Sequence, residues 1–144
     1  MAKNKEEKTN VMRVLEQKKI AYTAHTYPHE EGMAVDGVTV AQSMGFDPAI
    51  VFKTLVARGA SKQYYVFDVP VAENLDLKKA AKAVGEKSIE MIHQKELLPL
   101  TGYVHGGCSP VGMKKLFPTV FHETAENLET MIVSAGKIGY QVEL

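Results

Sequence analysis

Apolar residues spaced three and four apart predict a helix near the N-terminus. Val11, Val14 and Leu15 would share the inner face of this helix. Thr9 can cap its first turn, because a threonine hydroxyl accepts a hydrogen bond from one of the unpaired amides there. We therefore expect a helix from Thr9 to about Lys19.

A second helix is predicted over residues 77–84, with the sequence LKKAAKAV. Asp76 precedes it as a favourable N-cap, and Gly85 follows it as a residue that can end a helix in the left-handed conformation. Shorter helices are predicted from three further signals: VAQSM after Thr39, the turn at Asp47-Pro48, and residues 94–100.

Runs of β-branched and aromatic residues predict several short strands. Residues 51–57 and 64–69 are two such runs, and the linker RGASKQ between them suits a β-hairpin. Because strands and helices interleave without a regular βαβ rhythm, the pattern predicts an α+β fold with a mixed sheet. The other predicted strands are 20–27, 88–92, 120–121, 130–133 and 140–142.

The composition is that of an ordinary soluble protein. Of 144 residues, 45% are hydrophobic and 24% are charged, which excludes a disordered or collagen-like chain and predicts one domain over residues 1–144. The single cysteine excludes an intramolecular disulfide and a cysteine-based zinc site. No apolar run approaches the ~18 residues of a membrane span. The charged N-terminus, MAKNKEEKTN, lacks the apolar core of a signal peptide, so we expect a cytoplasmic protein without a membrane partner.

Charge is balanced over the whole chain but uneven along it. Lys and Arg together number 17, as do Asp and Glu, while residues 53–115 carry ten basic and six acidic side chains. This middle segment could face a phosphate backbone. A solvated basic helix face would produce the same pattern, so charge alone leaves both interpretations open.

A lysine interrupts an apolar strand face in the segment VFKTLVA. In an extended strand, Val51, Lys53, Leu55 and Ala57 share one face. An ammonium group at that position is unfavourable unless it meets an anion or lines a cleft. Lys53 is therefore a candidate anion-binding residue, and an edge strand whose lysine extends to water is the alternative.

The segment TGYVHGGCSPVG, residues 101–112, predicts an irregular, glycine-rich loop. Adjacent Gly106 and Gly107 would allow the backbone to approach a ligand closely and to direct N–H groups at an anion. Ser109 and Pro110 follow, and the proline would stiffen the exit of the loop. A tight turn that requires positive φ would use the same glycines.

Cysteine and histidine residues offer two further candidates. Cys108 and His105 could form a nucleophile and base, although a buried, inert cysteine fits the same sequence. His25 and His29 are four residues apart, but Pro28 lies between them and disfavours the helix that would align them as metal ligands. We therefore predict no metal site.

Four segments of the chain together resemble the YbaK-type Cys-tRNA(Pro) deacylases, relatives of the editing domain inserted in bacterial prolyl-tRNA synthetases. The resemblance implies a compact α+β domain with a curved, barrel-like mixed sheet flanked by helices. It also implies trans-editing, the cleavage of the ester that joins a wrong amino acid to the tRNA 3′ end, without metal or cofactor. The segments are FKTLV at 52–56, LDLKKAAKAVGEKSIEM at 75–91, LTGYVHGGCSPVGMKK at 100–115 and VSAGKIG at 133–139.

This resemblance implies roles for particular residues. Lys53 corresponds to the family's motif lysine and would bind the terminal phosphate or the ester carbonyl. Backbone N–H groups around Gly107 would hold the oxyanion. Water aided by the terminal ribose hydroxyl, or the substrate's own thiol, would attack the ester. The remaining implied site residues are Ser109, catalytic, and Tyr27, Gly106, Cys108 and Pro110, substrate-binding.

Two positions depart from the family pattern. Ile138 and His105 stand where the family often has arginine, and each departure removes a possible phosphate contact. The leading hypothesis is a deacylase of Cys-tRNA(Pro), with Cys-tRNA(Cys) as a further substrate and prolyl-tRNA synthetase as a possible partner. The alternatives are an Ala-tRNA(Pro) deacylase, a non-catalytic protein that binds tRNA or the synthetase, and a cysteine hydrolase that uses Cys108 and His105.

Overall fold

The computed structural model describes residues 8–30 and 33–144, which form four α-helices, two short 3₁₀ helices and seven strands. None of the described helices is both long and apolar enough to cross a membrane. The predicted interleaving of helices and strands in an α+β fold is confirmed. In chain order the elements are α1 (Asn10–Gln17), β1 (Thr23–Thr26), α2 (Gly37–Met44), a 3₁₀ helix (Pro48–Ile50), β2 (Phe52–Gly59), β3 (Tyr64–Pro70), α3 (Leu77–Val84), β4 (Ile89–Met91), α4 (Gln94–Thr101), β5 (Thr119–Phe121), a second 3₁₀ helix (Glu123–Asn127), β6 (Ile132–Ser134) and β7 (Tyr140–Glu143).

The ends of α3 match the prediction from its capping residues. The Asp76 carboxylate accepts hydrogen bonds from the amides of Lys78 and Lys79 at 3.0 and 3.1 Å. Gly85 follows the last turn with φ 77°, in the left-handed region. Both ends of this helix are therefore set by capping residues that can be recognised in the sequence.

The start of α2 differs from the prediction. Asp36, and not Thr39, is its N-cap: the Asp36 carboxylate accepts a hydrogen bond from the Thr39 amide at 3.2 Å. The prediction was wrong because Asp36, three residues earlier, accepts from the amide of Thr39 and so starts the helix one turn sooner. At α1 the predicted cap is confirmed, since the Thr9 hydroxyl accepts from the Met12 amide at 3.3 Å.

The strands form two sheets rather than one. β4, β2, β3 and β5 form a mixed sheet in which only β3 and β5 run parallel, and β1, β7 and β6 form an antiparallel sheet. One isolated parallel bridge, between Val51 and Ile132, joins them. The fold therefore departs from the expected barrel-like sheet in one respect: β2 and β6 meet at this bridge and then follow their own antiparallel partners, so the strands do not close into a barrel.

The principal core lies between the two sheets and beneath α1. It is built from fully or almost fully buried residues of β2, β3, β6, β7 and α1. A second cluster packs α3 on the opposite face of the four-stranded sheet, and a third joins α2 to the start of β2. Representative members are Leu15, Val56, Val66, Val133 and Val142 in the first, Ala57, Phe67 and Ala81 in the second, and Ala41, Val51 and Ile132 in the third.

Candidate active site

The edge of β2 is paired along only part of its length. On one side β2 pairs with β3 from Phe52 to Arg58. On the other side β4 reaches only residues 57–59, and β6 meets the chain only at Val51. Residues 52–55 therefore present an edge that no described strand covers. A cavity of about 350 Å³ lies along this edge.

The cavity is walled by eight parts of the chain. Its lining comes from residues 51–55, the segment 34–40 at the start of α2, the loop that includes His105, and single residues at positions 27, 71, 97, 134 and 141. Most of these groups are apolar, with a few polar groups among them. An enclosed site of this kind is where a small ligand is bound in most proteins.

Lys53 lines this cavity and is partly buried. Its ammonium group forms no ion pair with any residue in the ranges 8–30 and 33–144. A cation held in a partly enclosed space without a carboxylate partner attracts an anion or a polarised oxygen. The position agrees with the sequence interpretation that Lys53 lies on an inward strand face.

The glycine loop contributes one of its two glycines to the cavity. Gly106 lines it with φ 89°, and a Cβ there would lie 2.6 Å from the Ala34 side chain. Gly107 lies behind the lining, and its N–H donates to the Val104 carbonyl at 3.0 Å. The Gly107 amide is therefore engaged in a turn, which argues against its predicted role as an oxyanion donor.

Gly107 instead allows close packing against the segment 137–138. A Cβ on Gly107 would lie 3.0 Å from the Ile138 nitrogen and 3.2 Å from backbone atoms of Lys137. The Ile138 side chain is 8% exposed, so an apolar residue suits this position. The residue that replaces the family's arginine at position 138 is thus a buried, apolar side chain.

Ser109 and Pro110 do not line the cavity. Ser109 is fully buried, and its hydroxyl accepts a hydrogen bond from the Val111 amide at 3.2 Å. The structure thus places Ser109 in the internal support of the loop. Contiguity in a loop does not fix which side chains face a cavity, so the site roles expected for these two residues stay a prediction that the cavity lining does not support.

Cys108 lines the cavity as a neutral thiol. Burial raises the pKa of this thiol to about 12, so the nucleophilic thiolate is not formed near neutral pH. A hydrogen bond from Cys108 to His105 is not found in the described part of the chain. The cysteine-hydrolase alternative therefore lacks the thiolate and the hydrogen bond to a base that it requires, although His105 lines the same cavity.

Tyr27 is the fourth predicted residue that lines the cavity. It is 5% exposed, and burial raises the pKa of its phenol. Its amide donates to the Gly139 carbonyl at 3.0 Å, which ties the end of β1 to the turn before β7. The structure thus brings Tyr27, Lys53, Gly106 and Cys108 to one cavity, out of the seven residues predicted.

The sequence interpretation missed a polar pair on β2 and β3. Thr54 lines the cavity, and its hydroxyl donates to the Asp68 carboxylate at 2.6 Å. Asp68 is fully buried, burial raises the pKa of its carboxyl to about 7, and its second oxygen has no hydrogen-bond partner in the described residues. One signal was available, since Asp68 is the sole acid within the apolar run YYVFDVP.

Gln141 and Ser134 were missed as well. Both line the cavity from the three-stranded sheet. The Gln141 side chain is 7% exposed, and its carbonyl oxygen has no hydrogen-bond partner among the residues described. No sequence signal marked these two, because their proximity to β2 depends on how the two sheets meet.

A protein-family comparison relates this geometry to known proteins. The model of the aminoacyl-tRNA editing domain matches residues 29–144. The chain belongs to the aminoacyl-tRNA editing domain family. The resemblance noted in the sequence is thereby confirmed.

Similar proteins include one from Enterococcus faecalis that carries the name Cys-tRNA(Pro)/Cys-tRNA(Cys) deacylase EbsC. It is 47% identical over 145 residues, a match that covers 100% of this chain and 88% of that protein. This editing-domain chain therefore matches the relative over nearly the whole length of both.

Two solved structures share the fold of this editing domain. One, described as a trans-editing enzyme for prolyl-tRNA synthetase, has a TM-score of 0.79 at 24% identity, covering 93% of this chain and 83% of that one. The other, called hypothetical protein APE2540, has a TM-score of 0.82 at 17% identity, covering 93% and 87%. At these identities the likeness concerns the fold alone.

Proposed function

We propose that this chain is a trans-editing deacylase that cleaves the ester between a wrong amino acid and the 3′ end of tRNA, with Cys-tRNA(Pro) as its principal substrate and Cys-tRNA(Cys) as a second one. Membership of the editing-domain family supports the class of reaction. The name of the E. faecalis relative supports the choice of amino acid and tRNA.

The observation that carries the proposal is the placement of Lys53. Lys53 lines the cavity and is partly buried, and its ammonium has no carboxylate partner among the described residues. The acylated 3′ end of tRNA carries a phosphate and an ester carbonyl. The oxygen atoms of both groups are stabilised by a nearby cation. The carbonyl oxygen becomes negative as a nucleophile adds, so stabilisation by Lys53 increases toward the transition state.

The cavity supplies no obvious nucleophile of its own. Its one cysteine is protonated, and the Ser134 hydroxyl is engaged with the Gly136 amide at 3.1 Å. In this proposal water, or the thiol of the bound cysteine, adds to the ester carbonyl carbon. The bond from that carbon to the ribose oxygen then breaks, and the ribose oxygen takes up a proton. The enzyme accelerates the step by positioning the ester and polarising it.

The size of the cavity favours a small aminoacyl group. About 350 Å³ lies near the lower end of the ~300–1,000 Å³ that ligand pockets span. Cysteine and alanine both satisfy this condition. An Ala-tRNA(Pro) deacylase therefore remains the second candidate, and the assay below separates the two.

The test is a deacylation assay with Cys-tRNA(Pro), Cys-tRNA(Cys) and Ala-tRNA(Pro). We expect the wild type to act fastest on Cys-tRNA(Pro), and Lys53→Ala to lower kcat/KM on the order of 10²-fold or more. Lys78→Ala, which removes an equal charge from α3 outside the cavity, and Cys108→Ala should both retain activity.

Three results would contradict the proposal. Full activity of the Lys53 variant would remove this lysine from the mechanism. An inactive Cys108 variant would favour the cysteine-hydrolase alternative. Salt-dependent tRNA binding without turnover at high protein concentration would favour a non-catalytic binding protein.

Prolyl-tRNA synthetase is proposed as a partner that delivers the tRNA. The support is the solved structure of the same fold that is described as a trans-editing enzyme for that synthetase. Addition of the synthetase should raise the deacylation rate at limiting tRNA if delivery occurs, and should leave it unchanged if this chain captures tRNA alone.

A further inference from the structure

The hydrogen bonds of β2 fix the side toward which each residue directs its main-chain groups. The Val71 amide donates to the Val51 carbonyl at 2.8 Å, and the Gly59 amide donates to the Gln63 carbonyl at 2.8 Å. Along an antiparallel strand, the main-chain N–H and C=O groups of one residue face one neighbouring strand, and those of the next residue face the strand on the opposite side. The odd-numbered residues of β2 therefore direct their N–H and C=O groups toward β3.

The even-numbered residues face the other edge. The Ile92 amide donates to the Val56 carbonyl at 3.4 Å, and the Ala60 amide donates to the Ser88 carbonyl at 3.0 Å, both on the β4 side. Thr54 is the next even-numbered residue toward the N-terminal end of β2. Its N–H and C=O consequently point to the side where β4 has already ended.

No strand of the described chain pairs with Thr54 on that side, and the cavity lies there. β4 pairs with residues 57–59, and the bridge to β6 involves Val51. Residues 51–55 all contribute to the cavity lining, as expected when the cavity runs along a strand edge. The Thr54 main chain thus offers one donor and one acceptor to a ligand, beside the Lys53 side chain.

We infer that Thr54 binds the α-aminoacyl group through its main chain, as one residue of a β-ladder binds another. In a hydrogen-bonded antiparallel pair, two residues exchange both N–H···O bonds. An aminoacyl ester carries the same two groups: the α-ammonium donates to the Thr54 carbonyl, and the ester carbonyl accepts from the Thr54 N–H. This inference rests on the proposed function, since it names how that site holds its substrate.

The arrangement supplies an oxyanion donor in place of the Gly107 amide, which donates to the Val104 carbonyl. The Thr54 N–H contacts the ester oxygen in the ground state and binds it more strongly as that oxygen becomes negative. Lys53 precedes Thr54 directly, so the cation and the amide act on the same region of the substrate. Main-chain recognition of this kind selects α-amino acids as a class and leaves the side chain to the rest of the cavity.

The strand holds this peptide group firmly. β2 pairs with β3 on both sides of Thr54, and the Thr54 hydroxyl is bound to the buried Asp68. The peptide unit therefore does not have to reorganise when a ligand binds, which is a requirement for efficient electrostatic stabilisation.

The central experiment compares Thr54→Pro with Thr54→Val. Proline removes the N–H, and an edge position tolerates proline because that N–H takes no part in the ladder with β3. Valine keeps the N–H and the branched shape but removes the hydroxyl. We expect Thr54→Pro to lose on the order of 10²-fold in kcat/KM, and to lose at least about tenfold more than Thr54→Val, whose own loss measures the contribution of the hydroxyl and its bond to Asp68.

A substrate analogue tests the same pair of bonds without altering the protein. tRNA(Pro) acylated with 3-mercaptopropionate lacks the α-ammonium, and its enzymatic rate is divided by its spontaneous rate to correct for ester reactivity. We expect this corrected rate to fall by at least about tenfold, the effect of about 1.4 kcal/mol of lost hydrogen bonding. An unchanged corrected rate would overturn the role of the Thr54 carbonyl.

Binding is measured separately, so that failure of this inference is distinguished from failure of the proposed function. A non-hydrolysable adenosine bearing cysteine through a 3′-amide is titrated into the isotopically labelled wild type. A shifted, exchange-protected Thr54 amide supports the inference, and an unaffected one overturns it.

If Thr54→Pro folds and keeps full activity, the inference is wrong while the proposed function stands. A wild type without deacylation overturns the proposed function, and the amide signal then decides the binding mode alone.

Discussion

The two halves of β2 belong to one continuous strand but have different surroundings. In residues 56–59 the strand pairs with β3 through residue 58 on one side and with β4 through residues 57–59 on the other, and α3 packs over this half. Residues 52–55 are paired with β3 alone, and their free edge faces the cavity beside Lys53. The closed half directs its main-chain groups to neighbouring strands, and the open half leaves some of them for a ligand.

Cross-strand partners repeat this contrast. In the closed half Val56 lies opposite Val66, and both are buried apolar residues. In the open half Thr54 lies opposite Asp68, an acid that is fully buried beside the site. One strand can therefore contribute both to the core and to a binding surface. The length of β4 decides at which residue of β2 the binding surface begins.

The largest expected effect is the pH dependence that Asp68 introduces. Burial raises the pKa of Asp68 to about 7, against about 3.9 in an unfolded chain. Between these values the unfolded state releases the proton and the folded state keeps it, so the free energy of unfolding falls as pH rises. The slope approaches about 1.4 kcal/mol per pH unit and vanishes above pH 7.

Urea unfolding of the wild type and Asp68→Asn between pH 4 and 8 measures this difference. The difference in free energy of unfolding between the variant and the wild type should shift in favour of the variant as pH rises through that range, by up to about 4 kcal/mol. Cys108, whose thiol is close enough to feel the Asp68 charge, has a pKa of about 12 and does not titrate there. Parallel curves for the two proteins would mean that Asp68 is not a buried acid of this kind.

A smaller effect is expected from the closed half. Val56→Ala removes two methyl groups from a side chain that is 2% exposed, and should lower the free energy of unfolding by about 2–3 kcal/mol. Its kcat/KM should match the wild type at a temperature where both are folded. Lys53→Ala, in the open half, should lower kcat/KM and leave the free energy of unfolding close to that of the wild type. The comparison fails if either substitution changes stability and activity together.

The smallest effect concerns the caps of the two covering helices. Asp36 caps α2, which borders the open half, and Asp76 caps α3, which covers the closed half. Replacement of either by alanine should lower the free energy of unfolding by about 1 kcal/mol. Only Asp36→Ala should raise KM, because Asp36 also lines the cavity. Equal KM values for the two variants would show that the start of α2 takes no part in binding.

Local structure was largely predictable. α3 was predicted residue for residue because Asp76 and Gly85 act on the helix ends directly. The hairpin of β2 and β3 and the inward position of Lys53 followed from apolar alternation. The predicted cap Thr39 failed where two polar residues can each start a helix, since Asp36 accepts the amide of Thr39 itself and places Thr39 inside the first turn.

The site was predictable only where a residue is unusual in its own segment. Lys53 stood out as a cation in an apolar strand, and the glycine pair stood out in its loop. Ser109 was assigned by adjacency alone, and the structure places its hydroxyl inside the loop on the Val111 amide. Gln141 and Ser134 reach the cavity from distant segments, so no local pattern marked them.

The sequence by itself determined most of the helix and strand segments, the family resemblance, and the presence of a lysine on an otherwise apolar strand face. Those properties depend on neighbours a few residues away. Tertiary structure alone decided that two sheets meet at the single bridge between Val51 and Ile132, that β4 stops short, and that Thr54 faces the gap between them. The physical reason is that strand pairing between distant segments depends on packing over the whole chain, and the length of each partner sets which main-chain groups stay free for a ligand.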